Sequence, residues 1–183
     1  MANFLLFQLS WFAAVLGGAR GLPWVGVVVV TLVAAWHLHS AVRPWREALL
    51  LLVAASVGAV WDGLLAGFGW LVYPSGTFAT WFAPTWIIAM WVAFAMTFNR
   101  SLGWLKGRWS LAAGLGALGG PLAFAAGAAL GGVHFPDPVV AMAVLAGGWS
   151  FLMPALLALA ARLDGFTPAP AAAAALHEAR GRV

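Results

Sequence analysis

The stretch EALLLLVAASVGAVWDGLLAGFGWLVY, residues 47–73, decides the fold because it is apolar, long enough to cross a bilayer, and carries one carboxylate in its interior. At about 1.5 Å of rise per residue, a helix over this stretch places Asp62 roughly 16 Å from Tyr73 and about 22 Å from Glu47. Asp62 would then lie deep inside a hydrocarbon layer about 30 Å thick. The stretch therefore predicts a membrane-spanning helix with an acid in its interior.

Small residues share a helical face with Asp62, and bulky residues share the opposite face. The small face holds Ala55, Gly58, Ala59, Ala66 and Gly69. The bulky face holds Val53, Val57, Val60, Leu64, Phe68 and Leu71. Because small residues let helices approach one another closely, we expect the small face to turn inward and to take Asp62 with it.

The whole chain has the composition of an integral membrane protein. Of its 183 residues, 64% are hydrophobic and 8% are charged, and the mean hydropathy is +0.97. These values lie well outside the range of a water-soluble domain, and the length leaves room for about six helical spans. The formal charge of +4 comes from basic residues spread over short loops, so it indicates membrane orientation rather than nucleic-acid binding. Because the chain has no cysteine, disulfides, thiolate metal sites and a cysteine nucleophile are excluded.

Turn and cap residues divide the chain into six predicted spans, which gives an all-α polytopic bundle. The expected limits are residues 4–18, 23–42, 47–73, 81–98, 110–133 and 137–163. Pro23 opens the second span, and Asp137 followed by Pro138 caps the sixth. The transmembrane domain is therefore predicted to cover residues 1–163. Residues 164–183 are rich in proline and alanine, and we expect them to form a flexible cytoplasmic tail.

The basic residues predict the orientation of the bundle. If both termini are cytoplasmic, eight basic residues lie on the inner side and only Arg20 lies outside. Positive residues favour the cytoplasmic side, so we predict N-in/C-in topology in a bacterial inner membrane. Tryptophans near the predicted span ends form the two aromatic belts of such a protein. They are Trp24, Trp70 and Trp81 outside, and Trp45, Trp104 and Trp109 inside.

Polar and helix-weakening residues collect at one predicted depth, about ten residues in from the outer face. Pro121 lacks the N–H group that a helix needs, so we expect the fifth helix to be interrupted there. The free backbone groups would then face the same pocket as Asp62. The candidate ligand-binding residues of this layer are Asp62, Gln8, Ser10, Trp61, Trp91, Pro121, Trp149 and Ser150.

Two interpretations of Asp62 stay open. An acid inside a membrane is by default a candidate for function. Alternatively, Asp62 is a structural group, neutralised by a proton and bonded to Ser150, Gln8 or a tryptophan N–H. Three tryptophans of the same layer either line a cavity for an acyl chain or isoprenoid or pack in an ordinary core. They are Trp61, Trp91 and Trp149.

The histidines predict neither a metal site nor a haem site. His37 and His39 are two residues apart, so on one helix they point in different directions, and we expect interfacial hydrogen bonding instead. His134 and Asp137 lack a third ligand. No metal or other cofactor is predicted. The sequence also lacks the motifs of zinc hydrolases, di-iron oxygenases, serine hydrolases and P-loop enzymes, so whether the protein is an enzyme stays open.

A set of motifs resembles a known family. They are Trp61-Asp62-Gly63 in the third span, Tyr73 after it, Pro84-Thr85-Trp86 and Trp91 in the fourth, and Gly119-Gly120-Pro121 with Gly127 in the fifth. The pattern resembles a bacterial family of small integral membrane proteins defined as a domain of unknown function, and it covers the six spans but not the tail. Members tend to be encoded near cyclopropane-fatty-acid-synthase-like and amine-oxidase-like genes, which implies a link to membrane-lipid modification or envelope stress. The resemblance supplies no catalytic residues.

These observations lead to three functional hypotheses. In the first, the protein binds a lipid or another apolar ligand, or assists a lipid-modifying enzyme, with Asp62 as the polar anchor of the internal site. In the second, it is a small proton-coupled transporter that uses Asp62. In the third, it is a structural membrane subunit. The expected partners are membrane lipids and either a lipid-modifying enzyme or a second copy of the chain.

Overall fold

The computed structural model describes residues 2–79 and 81–167 of the chain. The helices are α1 (Ala2–Ala19), α2 (Pro23–His39), α3 (Pro44–Gly67), α4 (Thr85–Phe98), α5 (Trp109–Ala129) and α6 (Pro138–Arg162), with a 3₁₀ turn at Gly103–Leu105. Within these ranges the only β pairing is an isolated antiparallel bridge between Val72 and His134. The prediction of an all-α fold with six helices is confirmed.

Four of the helices, α1, α3, α5 and α6, are long and apolar enough to cross a membrane by length and composition. The other two are shorter apolar helices, α2 with 17 residues and α4 with 14. α4 is the central helix, since it packs against α1, α2 and α3 and is largely buried. α5 packs mainly against α6. The bundle therefore consists of a four-helix body, α1–α4, and an α5–α6 hairpin beside it.

Proline and aspartate set two of the helix starts as predicted. α2 begins at Pro23. At the start of α6, Asp137 Oδ1 accepts hydrogen bonds from the backbone N–H groups of Val139 and Val140 at 3.0 and 3.1 Å. Pro138 follows in the first turn, where its missing N–H costs no hydrogen bond.

α3 ends earlier than the sequence predicts. A single span to Tyr73 was expected, but the helix stops at Gly67 because Gly69 adopts a left-handed conformation with φ of +72°. The N–H of Trp70 donates to Leu65 O at 3.0 Å and that of Gly69 to Ala66 O at 3.0 Å, which is the Schellman arrangement of a helix end. The residues described after it, 68–79 and 81–84, form no helix, and Tyr73 in the first of these stretches lies back against the end of α3. The prediction that residues 68–73 continue the span is therefore wrong.

The faces of α3 follow the predicted pattern as far as the helix reaches. Gly58 and Asp62 are buried, whereas Val60, Leu64 and Phe68 are 64%, 42% and 58% exposed. Beyond the helix end the prediction is wrong, since Gly69, expected to face inward, is exposed and Leu71, expected to face outward, is buried. The small face packs inward, because that is where α4 lies against α3.

α5 is not interrupted at Pro121. The helix runs continuously from Trp109 to Ala129, with the proline inside it. A proline removes only its own N–H bond, and the turns on either side keep theirs. The prediction of a broken fifth helix with a free set of backbone groups is therefore wrong.

Candidate functional site

Asp62 is fully buried and accepts two short hydrogen bonds. Tyr73 Oη donates to Oδ1 at 2.7 Å, and Trp91 Nε1 donates to Oδ2 at 2.6 Å. No basic side chain pairs with Asp62 among the described residues. The sequence predicted that Asp62 and Tyr73 would lie roughly 16 Å apart along one helix, and this prediction is wrong. The chain turns back after Gly67, which brings the Tyr73 phenol into contact with the Asp62 carboxylate. The carboxylate is thus held by two neutral donors on two different segments.

Glycine in α3 is what lets Trp91 reach Asp62. Gly58 lies one turn before Asp62, and a Cβ atom at Gly58 would overlap the indole ring of Trp91. The ring therefore lies flat on α3 with its N–H group directed at the carboxylate. Gly120 in α5 plays the same part for Trp149, because a Cβ atom at Gly120 would overlap the indole ring of Trp149.

Trp91 and Trp149 form a stacked pair between the body and the hairpin. Their ring centroids are 4.9 Å apart with an interplanar angle of 14°. Phe94 packs edge-on against Trp149 at 5.6 Å. The Nε1–H group of Trp149 is buried with no acceptor in the described part of the chain. Trp91 bonds to Asp62, and both tryptophans line an apolar cleft.

An apolar cleft of about 530 Å³ lies between the body and the hairpin. Its walls come from α1, α4, α5 and α6, and Trp91 and Trp149 form part of them. Along α5 the lining runs from Leu115 to Gly127, a stretch of thirteen residues that rises about 18 Å. Gln8 is the one lining side chain that carries an amide, and the other linings are apolar, aromatic or glycine. The cleft is therefore elongated and almost entirely apolar.

The structure divides the predicted layer into three groups. Gln8, Trp91 and Trp149 line the cleft, and Asp62 lies behind Trp91 without lining it. The remaining four residues, Ser10, Trp61, Pro121 and Ser150, do not line it.

The two serines of the layer bond to their own helices. Ser10 Oγ donates to Leu6 O at 2.8 Å, and Ser150 Oγ donates to Gly147 O at 2.6 Å. Of the three partners expected for a structural Asp62, a tryptophan N–H is the one present, whereas Gln8 and Ser150 make no bond to it.

A second buried polar cluster lies at the opposite end of α3, and sequence reasoning missed it. Glu47 and His37 are both fully buried, with Glu47 Oε2 3.0 Å from His37 Nε2. Glu47 Oε1 accepts from Asn99 Nδ2 at 2.7 Å and from the backbone N–H of Gly165 at 2.7 Å. His37 Nδ1 has no partner among the described residues. The available signal was the short turn between α2 and α3, which places the end of one helix beside the start of the next.

The chain that follows α6 packs against this cluster. Phe166 lies edge-on to His37 at 5.0 Å, and Arg43 donates to the backbone oxygens of Asp164 and Thr167. Lys106 Nζ lies 3.0 Å from Asp164 Oδ2. The first four residues of the predicted tail, 164–167, are thus tied to the bundle, while residues 168–183 lie outside the described residues.

The pKa of Asp164 is lowered from 3.8 to about 2. Partial burial raises it, but hydrogen bonds from the backbone N–H groups of Thr167 and Phe166, together with the hydrogen bond and positive charge of Lys106, lower it by more. Asp164 therefore holds the segment 164–167 as a carboxylate.

Of the two outer-loop residues that could ligate a metal, Asp137 uses its side chain to cap α6. His134 pairs with Val72 through its backbone. Within residues 2–79 and 81–167, no cluster of three metal-ligating side chains occurs.

The fold and site together define a class: a six-helix bundle, four helices of which could cross a membrane, built around an apolar cleft with a buried carboxylate behind its wall. Residues 1–155 match the family described as "Protein of unknown function (DUF2878)", and the chain belongs to this family. No curated protein and no solved structure matches the chain.

Proposed function

We propose that the protein is a multi-pass protein of a bacterial inner membrane that holds an acyl chain of a membrane lipid in the cleft between its body and its hairpin. The observation that carries the proposal is the elongated apolar cleft of about 530 Å³. Its volume falls in the range of pockets that bury small ligands, and its lining offers hydrocarbon contact along its whole length.

The outer surface of the bundle supports membrane insertion. Large apolar side chains on α2, α5 and α6 are widely exposed, including Leu32 at 67%, Leu118 at 67%, Leu122 at 68% and Phe151 at 77%. In water such an apolar surface would promote aggregation, whereas in a bilayer it contacts lipid chains. The N-in/C-in orientation rests on the basic residues, because six of the seven within the described residues lie at one end of the bundle.

The short helix α4 is compatible with this placement. At about 1.5 Å per residue its 14 residues cover roughly 21 Å, less than a hydrocarbon layer. It is preceded by the buried residues Ala83 and Pro84, and irregular backbone at membrane depth is tolerated where protein surrounds it.

Asp62 acts in this proposal through Trp91. The carboxylate fixes the indole that forms one wall of the cleft, and Tyr73 fixes the carboxylate. Asp62 is thus the polar anchor of the site, and Trp91 lies between it and the ligand. The family resemblance implies that a lipid-modifying enzyme is the partner to which such a lipid would be presented.

A matched pair of glycine variants on α5 tests the proposal. Gly119 lines the cleft and Gly114 does not, and a Cβ atom at either position meets no neighbouring atom within 4 Å. Gly119→Leu should fill the cleft without disturbing the fold, and both variants should favour the helix to the same extent. The measurement is the amount of lipid that the purified protein retains, by mass spectrometry.

We expect Gly119→Leu to retain at least about tenfold less lipid, the equivalent of roughly 1.4 kcal/mol of binding. Gly114→Leu should retain the wild-type amount. Equal retention by both variants, or a retained isoprenoid or free fatty acid in place of a phospholipid, would contradict the proposal as stated.

A proton-coupled carrier is the second candidate, and a single feature favours it. Asp62 is buried with no basic partner among the described residues, as expected of a group that binds and releases a proton. A pH gradient across liposomes should then drive solute uptake that Asp62→Asn abolishes. If flux is absent and the variant changes only stability, the third hypothesis, a structural subunit, takes its place.

A further inference from the structure

The two ends of the bundle differ sharply in charge. Six basic residues lie at the end where α3 and α5 begin: Arg43, Arg46, Arg100, Lys106, Arg108 and Arg162. The acids described at this end are Glu47, buried against His37, and Asp164, paired with Lys106. At the other end, Arg20 is accompanied by Asp137, which caps α6. An anionic group in or near the bundle is therefore favoured at the first end.

Several of these basic side chains already contact other groups of the protein. Arg43 holds the backbone of Asp164 and Thr167, and Arg100 lies over the ring of Phe166 at 3.9 Å. Arg46 and Arg108 pair instead with tryptophans, at 5.3 Å from Trp45 and 5.6 Å from Trp104. Neither has a carboxylate partner among the described residues.

Arg108 differs from Arg46 in directly preceding α5, a helix that lines the cleft. It borders a small pocket of about 10 Å³ together with Ala112 and Leu157. Ala112 lies one helical turn before Gly116, and Leu157 one turn after Met153, and both Gly116 and Met153 line the cleft. Leu102, just before the 3₁₀ turn, also lines the cleft at this end. No residue of α3, which carries Arg46 in its first turn, lines it.

We infer that the cleft takes an anionic phospholipid, with its acyl chain against Trp91 and Trp149 and its phosphate at Arg108. This inference rests on the proposed function, which it deepens by naming the headgroup class. From Arg108 to Leu115, the first cleft residue of α5, the helix rises about 10 Å. The arginine side chain and the glycerol-phosphate part of the lipid together cover that distance. Trp104 and Trp109, 52% and 60% exposed, flank the arginine as interfacial tryptophans do.

The test measures which phospholipids stay with the purified protein. Wild type, Arg108→Gln, Arg46→Gln and Gly119→Leu are each exchanged in detergent against an equimolar mixture of phosphatidylglycerol and phosphatidylethanolamine. Retained lipid is then quantified by headgroup class. A parallel arm adds inorganic phosphate in place of lipid and follows thermal stability.

We expect wild type to retain phosphatidylglycerol preferentially and Arg108→Gln to lower that preference roughly fivefold, the usual effect of one cation on anionic lipid. Arg46→Gln should leave the preference unchanged, because α3, whose first turn carries Arg46, contributes no residue to the cleft. Inorganic phosphate alone should not stabilise the protein.

Other results would overturn the inference. Retention without headgroup preference, or an equal loss in both arginine variants, contradicts the position at Arg108 while leaving the acyl-chain proposal standing. Stabilisation by free phosphate would make the site one for phosphate rather than lipid. If wild type and Gly119→Leu retain equally little lipid, the proposed function fails and this inference fails with it.

Discussion

The two carboxylates of α3, Glu47 and Asp62, are equally buried but bond to different kinds of partner. Both are fully buried, fifteen residues apart on one helix. Glu47 bonds to an imidazole, an amide and a backbone N–H from three other segments. Asp62 bonds to a phenol and to an indole that forms a wall of the cleft. Burial alone therefore does not tell the two acids apart, whereas the identity of their partners does.

The partners of Glu47 indicate a structural role. They tie together the end of α2, the end of α4 and the chain after α6, so the cluster closes one end of the bundle. The partners of Asp62 are Tyr73, in the loop after α3, and Trp91, which lines the cleft. A substitution of Asp62 is therefore expected to affect the proposed ligand through Trp91.

The largest effect is expected for Glu47→Ala. The change leaves Asn99 Nδ2, the Gly165 N–H and His37 without their acceptor, at about 1–3 kcal/mol for each buried unsatisfied group. We predict a loss of at least about 3 kcal/mol in the free energy of unfolding, measured by denaturant titration in mixed micelles. Glu47→Gln, which keeps one acceptor oxygen, should lose much less.

Glu47→Ala should also free the segment 164–167, since Gly165 bonds directly to Glu47. Proteolysis after α6 reports on this release. Lipid retention in the folded fraction should be unchanged, because Glu47 lies away from the cleft. Reduced retention with intact stability would reverse the roles assigned to the two acids.

A smaller stability effect with a larger functional one is expected for Asp62→Leu. The leucine leaves two donors, Tyr73 Oη–H and Trp91 Nε1–H, without an acceptor, instead of the three groups that Glu47→Ala leaves, so we predict a loss of about 2 kcal/mol. Trp91 should lose its fixed orientation, which tryptophan fluorescence anisotropy would register together with reduced lipid retention.

Tyr73→Phe is the matched control for Asp62→Leu. It removes one donor and leaves the Trp91 bond intact, so stability should fall by about 1–2 kcal/mol while lipid retention stays at the wild-type level. If Tyr73→Phe and Asp62→Leu reduce retention equally, the carboxylate does not act through Trp91.

The sequence predicted the helices and the buried acid because both follow from local patterns. Six apolar segments separated by turn residues define the elements, and the small face containing Gly58 defines which side of α3 packs inward. The return of Tyr73 could not be seen in hydropathy, since residues 68–73 are as apolar as the helix before them. Gly69 was the local signal for the turn, and it was assigned to a helical face instead.

The contacts between distant segments could not be predicted in the same way. His37 and Glu47 meet only because of how α2 and α3 are rotated about their axes, which the nearly uniform apolarity of both helices does not reveal. The cleft likewise depends on where the α5–α6 hairpin sits beside the body. A composition that is apolar all round specifies burial in lipid or protein but leaves helix rotation undetermined.

The smallest predicted effect concerns Asp164, the acid that holds the segment covering Glu47. Because its folded pKa of about 2 lies below the ordinary 3.8, the stability that Asp164 contributes is present above pH 3.8 and is lost as the pH falls through 2. The group is partly exposed, so we expect a contribution of less than about 1 kcal/mol. Asp164→Asn should therefore be slightly less stable than wild type at neutral pH, and the difference should vanish near pH 2. A difference that persists at that pH would show that the side chain acts through its shape rather than its charge.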